Sequence, residues 1–151
     1  MYITKNKEFL EQKCEGVYHT EGVAIANKLL NVVIYGKHKN CVGLAHNQIG
    51  GNKNVFIALI NNKWRCFINP SIIKHSKDYI MHEESCMSFP KKSNKVKRYN
   101  SITIEHQVKA RNDNNGNQFT TEEFVGFDAC IIQHEINHLN GIHIFNKKDK
   151  E

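Results

Sequence analysis

Gln133-His134-Glu135-Ile136-Asn137-His138-Leu139-Asn140-Gly141, or QHEINHLNG, is the stretch from which the rest of the chain can be read. On an α-helix, residues four apart lie on one face, one turn above the other. His134 and His138 therefore point the same way and can grip one metal ion. Glu135, beside the first of them, can reach a water on that ion. H-E-x-x-H thus supplies two ligands and a general base. The surrounding pattern predicts a helix from about Phe127 to Leu139, with Gly141 as its C-terminal stop. A third ligand, an oxyanion partner and a substrate groove must come from elsewhere in the chain.

Four sources of the third ligand can be weighed. A metzincin places another histidine three residues after Gly141, but that position is Ile144, and His143 falls one residue early. A thermolysin-like enzyme takes a glutamate from a second, downstream helix, and the chain ends before one can form. Cys130 shares the helix face with His134, yet it lies about 12 Å along the axis from His138. Three such ligands converge poorly, so Cys130 reads better as a buried apolar thiol. Cys86, in Glu84-Ser85-Cys86-Met87-Ser88, is left. A Cys/His/His set keeps a fourth position open, as catalytic sites do.

Further toward the N-terminus, residues 1–19 are weakly patterned and read as extended or irregular. Thr20 can cap a helix carrying Val23, Ala26, Leu29, Leu30, Val33 and Ile34 at helical spacing, with Gly36 as its stop. Cys41 to Gly51 is small and Gly-rich, which suits close backbone approach. Strands are predicted at Val55–Ile60, Arg65–Ile68 and from Ile72 toward Met81, with Asn61-Asn62 as a hairpin turn and Asn69-Pro70 as a break. Lys91 to Lys97 reads as a solvated loop. Ser101–Val108 alternates as a strand, Asp113 to Gly116 as a turn, and Phe119–Phe124 as the returning partner. The expected fold is α+β: one domain over residues 1–151, mainly antiparallel strands around a C-terminal metal-binding helix, with one N-terminal helix.

Bulk properties narrow the function. At 151 residues the chain fits one core. No apolar run approaches the ~20 residues of a spanning helix, and the N-terminus has no secretory pattern. The expectation is a cytoplasmic protein, or one in an equivalent translation compartment. Five scattered cysteines read as reduced thiols. A net charge of +6 fits a lysine-coated surface, or an encounter with nucleic acid or the ribosome. No aromatic-studded nucleic-acid platform accompanies it, so the charge alone does not carry that second reading.

Taken together, the motifs resemble those of the peptide deformylase family. Its patterns are G-x-G-x-A-A-x-Q, E-G-C-x-S and Q-H-E-x-D-H. They match Cys41 to Gln48, Glu84 to Ser88 and Gln133 to His138, in order and at similar separations. Fainter likeness continues through Ile68-Asn69-Pro70, Arg98 with Ile102 and Ile104, and Asp113 to Gly116, so the match spans roughly residues 20–145. Cys41, His46, Ser85 and Asn137 depart from the patterns without removing a ligand, the base or the glutamine. His46 is expected to add bulk beside the groove. Asn137 is expected to weaken any ion pair with Arg98. The longer C-terminal extension that helps bacterial members dock at the ribosome is absent, so docking by that route is not expected.

The resemblance implies hydrolytic removal of the formyl group from N-formylmethionine of nascent polypeptides, with release of formate. It implies metal ligands Cys86, His134 and His138, and Glu135 as the base. Gln48 and the Met87 N–H would be oxyanion donors. Gly43 would pair with the substrate backbone, and Val42, Leu44, Glu84, Cys130 and Ile131 would contribute to the substrate site. The cofactor would be one divalent ion, Fe(II) in cells, with Zn(II) or Ni(II) possible in purified protein. The partners would be N-formylmethionyl peptides, with a transient ribosome encounter, no membrane, no DNA and a monomeric state. Two rival readings are a small HExxH zinc protease and a non-catalytic, metal-stapled basic binding protein.

Overall fold

The run VFIALI offers no polar face, so the strand it forms must be covered on both sides. The computed structural model describes residues 2–109 and 118–147. Its helices are α1 (Lys7–Leu10), α2 (His19–Tyr35) and α3 (Gly126–Leu139). Its strands are β1 (Gly43–Ala45), β2 (Val55–Ile60), β3 (Lys63–His75), β4 (Tyr79–Cys86), β5 (Phe89–Tyr99), β6 (Ser101–Val108) and β7 (Gln118–Val125). A 3-10 turn, His46–Ile49, follows β1. Five strands form one antiparallel sheet in the order β1-β2-β3-β6-β7. Among the described residues, strands β4 and β5 pair only with each other.

Successive side chains on β2 point to opposite faces. Val55 and Ile57 pack with Ile25, Ala26, Leu29, Val32 and Val33 of α2. Phe56, Ala58 and Ile60 pack with Ala129, Ile131, Ile132, Ile136 and Leu139 of α3. The sheet therefore lies between the two helices. Phe56 stacks on Phe67 of β3 with ring centroids 4.8 Å apart. Helix α3 is held against this face of the sheet from Ala129 to Leu139, and its His134 bonds Glu84 of β4 at 2.8 Å.

The α+β expectation, the strands at Val55–Ile60 and Ser101–Val108, the β6–β7 pairing and the metal-motif helix all hold. Five local expectations do not. The strand expected from Ile72 toward Met81 is split, β3 ending at His75 and β4 beginning at Tyr79 in the other sheet. The N-terminal stretch is not wholly irregular: Asn6 caps the single turn α1 by accepting the Glu8 N–H at 2.9 Å, and Glu15 bridges Lys53. Thr20 is not the cap of α2, which starts at His19 after Tyr18 with no side-chain cap. Asn69-Pro70 does not end its strand. Asn69 takes φ +50, and its amide accepts the Val17 N–H at 3.1 Å and donates to the Val17 carbonyl at 2.8 Å. The missing proline donor is absorbed as a bulge while β3 runs on. Lys91–Lys97 is strand, not loop, although its lysines are exposed as expected. The turn expected at Asp113 to Gly116 lies outside the described residues.

Candidate metal centre

Alternation along β4 puts His82, Glu84 and Cys86 on one face while Glu83 and Ser85 are exposed on the other. Helix α3 meets that face with Phe127, Cys130, Ile131, His134, Glu135 and His138, spaced three and four apart as one helical stripe. Between them is a cavity of about 310 Å³ lined also by Cys41, Val42, Gly43, Gln48 and Met87. His138 is fully buried one turn beyond His134, its Nε2 lying 3.2 Å from Nε2 of His134.

The donor set fits a cation. Cys86 Sγ lies 3.3 Å from His138 Nε2, and the three donor atoms of Cys86, His134 and His138 all fall within 4.8 Å of one another. Tetrahedral coordination at ordinary Zn–N and Zn–S lengths places such donors about 3.3–3.6 Å apart. His134 Nδ1 donates to Glu84 Oε1 at 2.8 Å, which fixes the tautomer and aims Nε2 into the cluster. Glu84 is itself held by Arg98 through two parallel bonds, Nε to Oε2 and Nη2 to Oε1, each 2.8 Å. Arg98 is 2% exposed, among the largest fully buried side chains. Its Nη1 donates to Asn137 Oδ1, so the uncharged Asn137 still reaches Arg98 as an acceptor.

These contacts push the titrating groups apart. Burial raises the Glu84 carboxyl, but His134 and Arg98 outweigh it and hold Glu84 well below the carboxylate range. Burial lowers His134, yet Cys86 and Glu84 push it up to about 10. Burial, and then His134 beside it, drives His138 well below its ordinary value. Glu135 is pushed up to about 7, chiefly by burial. Its Oε1 is buried with no hydrogen-bond partner among the described residues, although the side chain faces the cavity.

Two further parts frame the cluster. Gln48 Oε1 accepts the Ala45 N–H at 3.0 Å, which turns Nε2 toward Cys86 Sγ, 3.6 Å away, and Ser88 Oγ, 3.2 Å away. Strand β1 is an edge of the five-stranded sheet, and Val42 and Gly43 line the cavity. A Cβ on Gly43 would stand 2.5 Å from Glu135 Oε2. Only glycine lets this strand pass over the glutamate.

Comparison with known proteins now decides the family. The family model described as polypeptide deformylase matches residues 2–151. The chain belongs to the peptide deformylase family. A peptide deformylase of Clostridium beijerinckii is 39% identical over 93% of this chain and 96% of its own length. One from Thermotoga neapolitana is 30% identical over 93% of this chain and 71% of its own. Among solved structures, the deformylase of a Vibrio parahaemolyticus bacteriophage aligns with a TM-score of 0.79 at 31% identity, covering 95% of this chain and 100% of that one. The Thermus thermophilus deformylase aligns with a TM-score of 0.80 at 28% identity, covering 95% and 82%. The deformylase reaction, removal of the N-formyl group from formylmethionine of nascent peptides, is therefore the activity of this chain.

Within this deformylase, Cys86, His134, Glu135, Gln48, Met87, Val42, Gly43, Cys130 and Ile131 come together around the cavity, and His138 joins Cys86 and His134 in the donor cluster. Leu44 does not: it is fully buried in the α2 cluster, on the opposite face of β1 from Gly43. Glu84 does line the cavity, but its carboxylate is committed to Arg98, His134 and His82. His46 does not crowd the groove. It packs over Gly51, where a Cβ would stand 2.1 Å from its Nε2, and its Nδ1 accepts the Lys53 N–H at 3.0 Å. Sequence reasoning passed over His82 and Phe127 as cavity residues. The spacings 82, 84, 86 on a strand and 127, 130, 134 on a helix carried that signal.

Proposed function

We propose that Cys86, His134 and His138 hold the catalytic divalent cation of this deformylase and that Glu135 moves the proton. The observation that carries this is the convergence of the Cys86, His134 and His138 donor atoms, next in sequence to Glu135, a cavity residue whose buried Oε1 has no hydrogen-bond partner among the described residues. A divalent ion there supplies Lewis-acid polarisation of the formyl oxygen and of the attacking water. The substrate backbone adds along the β1 edge at Gly43. The methionine side chain enters the cavity against Val42, Cys130 and Ile131, with Leu44 supporting β1 from behind. Glu135, raised toward neutrality by burial, accepts a proton from the water whose oxygen bonds to the formyl carbon. It returns that proton to the amine nitrogen as the carbon–nitrogen bond breaks, leaving formate and a free amino terminus. Gln48 Nε2 and the Met87 N–H stabilise the developing oxyanion. Glu84 orients His134 and does not contact substrate through its carboxylate.

The soft and imidazole ligands suit Fe(II) in cells and Zn(II) or Ni(II) after purification. The reading takes the chain as one domain over residues 1–151, acting as a monomer in the cytoplasm on chains leaving the ribosome. Its net charge of +6 favours the ribosome encounter. Incubating the iron-loaded protein anaerobically with formylated and unformylated peptides tests the proposal. Formate release without internal cleavage is expected. Cleavage of internal bonds in both peptides would assign a zinc protease instead.

A further inference from the structure

We propose that His82, Glu84 and Cys130 form a second cation site in the wall of the same cavity, suited to a borderline or soft divalent ion such as zinc or cadmium. One imidazole nitrogen, one carboxylate oxygen and one thiol sulfur from β4 and α3 lie within 4.8 Å of one another. None of the three is a ligand of the first cluster. Glu84 divides its two oxygens: Oε1 faces His134 at 2.8 Å, and Oε2 faces His82 Nδ1 at 2.9 Å. Both oxygens also accept from Arg98, so an ion on Oε2 displaces the His82 proton and not the guanidinium.

A histidine–glutamate hydrogen bond beside a buried thiol would need no ion. What points to one is that all three residues line an open cavity and that His82, its side chain 26% exposed, gives solvent a route to the site. The Phe127 ring lies edge-on to His82, with centroids 5.9 Å apart. Three protein ligands leave a position open to the cavity, the mark of an exchangeable site. The thiol selects against magnesium and calcium. On binding, the imidazole proton moves from Nδ1 to Nε2 and the Cys130 proton leaves to solvent, so one proton is released per ion and nothing is oxidised.

Occupation would place a cation where the methionine side chain enters, so excess zinc should raise KM and leave kcat little changed. That consequence rests on the deformylase reading; the site itself does not. Cadmium titration of the full chain tests the site, with total bound metal and the ultraviolet thiolate-to-cadmium absorption read together. The native chain is expected to take up a second thiolate-bound equivalent. Cys130→Ala and His82→Gln should each lose the second step and keep the first. Cys86→Ser should lose the first and keep the second. Should the buried Cys130→Ala fail to fold, His82→Gln at its partly exposed position still decides. A single thiolate-bound equivalent in the native chain, or a second one surviving both Cys130→Ala and His82→Gln, overturns the proposal. Both equivalents surviving in Cys86→Ser would instead remove Cys86 from the first centre and leave the second standing.

Discussion

The five-stranded sheet and the β4–β5 hairpin are held in place by different physics. The sheet is covered on both faces by apolar clusters under α2 and α3. The hairpin has almost no such cover: Cys86, Val96 and Ile144 form its small buried cluster, with Phe89 against it. It is docked by polar clamps. Glu84 bonds His134, Arg98 bonds Asn137, and Gln133 meets both the N–H and the carbonyl of Tyr99 at 2.9 Å. Asn94 donates to the Ile144 carbonyl at 2.7 Å. The hairpin carries Cys86, so the element that brings this sulfur to the cluster is fixed by the same residues that orient His134. Scaffold and chemistry are separable in the sheet and inseparable in the hairpin.

That contrast can be broken or sharpened by mutation. Cys86→Ser should abolish nearly all turnover, and its loss of metal retention should exceed the ~10–100-fold typical of removing an outer hydrogen-bond partner; metal analysis beside formate release checks both. Gln48→Ala should lower kcat by about 10²–10³-fold, as removal of an oxyanion donor does, with metal content unchanged in the same preparation. Arg98→Met leaves the Glu84 charge buried without its cation and should cost about 3–5 kcal/mol. Ile132→Ala, a cavity in the α3 face of the sheet, should cost about 2–5 kcal/mol. Denaturant unfolding measures both, but metal affinity of the folded protein should fall only for Arg98→Met. Equal metal affinity in the two would erase the distinction between hairpin and sheet.

The smallest expected effect lies within the sheet. Arg65, bonded at 2.7 Å, and then His106 hold Glu122 below its ordinary value, against partial desolvation. A depressed carboxyl stabilises the fold above its unfolded pKa and loses that contribution as pH falls through the folded one. Glu122→Gln should therefore cost no more than about 1 kcal/mol at neutral pH. Melting temperatures should converge with the parent once the pH falls below the depressed pKa of Glu122 in the fold. A gap that persists in acid would mean the contact acts through packing and not charge.

The sequence revealed the sheet and the helix more fully than the hairpin. VFIALI declares itself as an unbroken apolar run buried on both faces, and the H-E-x-x-H helix by a spacing that coincides with burial on one face. Cys86 emerged by elimination. Strand β5 did not, because Lys91, Lys92, Lys95 and Lys97 look outward and only Val96 and Arg98 are buried. Leu44 was misplaced because β1 is three residues long, too short for alternation to show which face it takes, and one step in a strand exchanges groove for core. Glu84 lines the cavity as expected, but its bonds to His134 and Arg98 were not legible because nothing local says that β4 docks on α3. Its part as the anchor of His134 and Arg98 exists only in three dimensions.

Parallel measurement of metal content and formate release in Glu135→Ala, against the parent chain on a formylmethionyl peptide, tests the central claim most directly. The account predicts full metal retention with formate release reduced by at least about 10²-fold. Formate release at the parental rate with metal retained would contradict it.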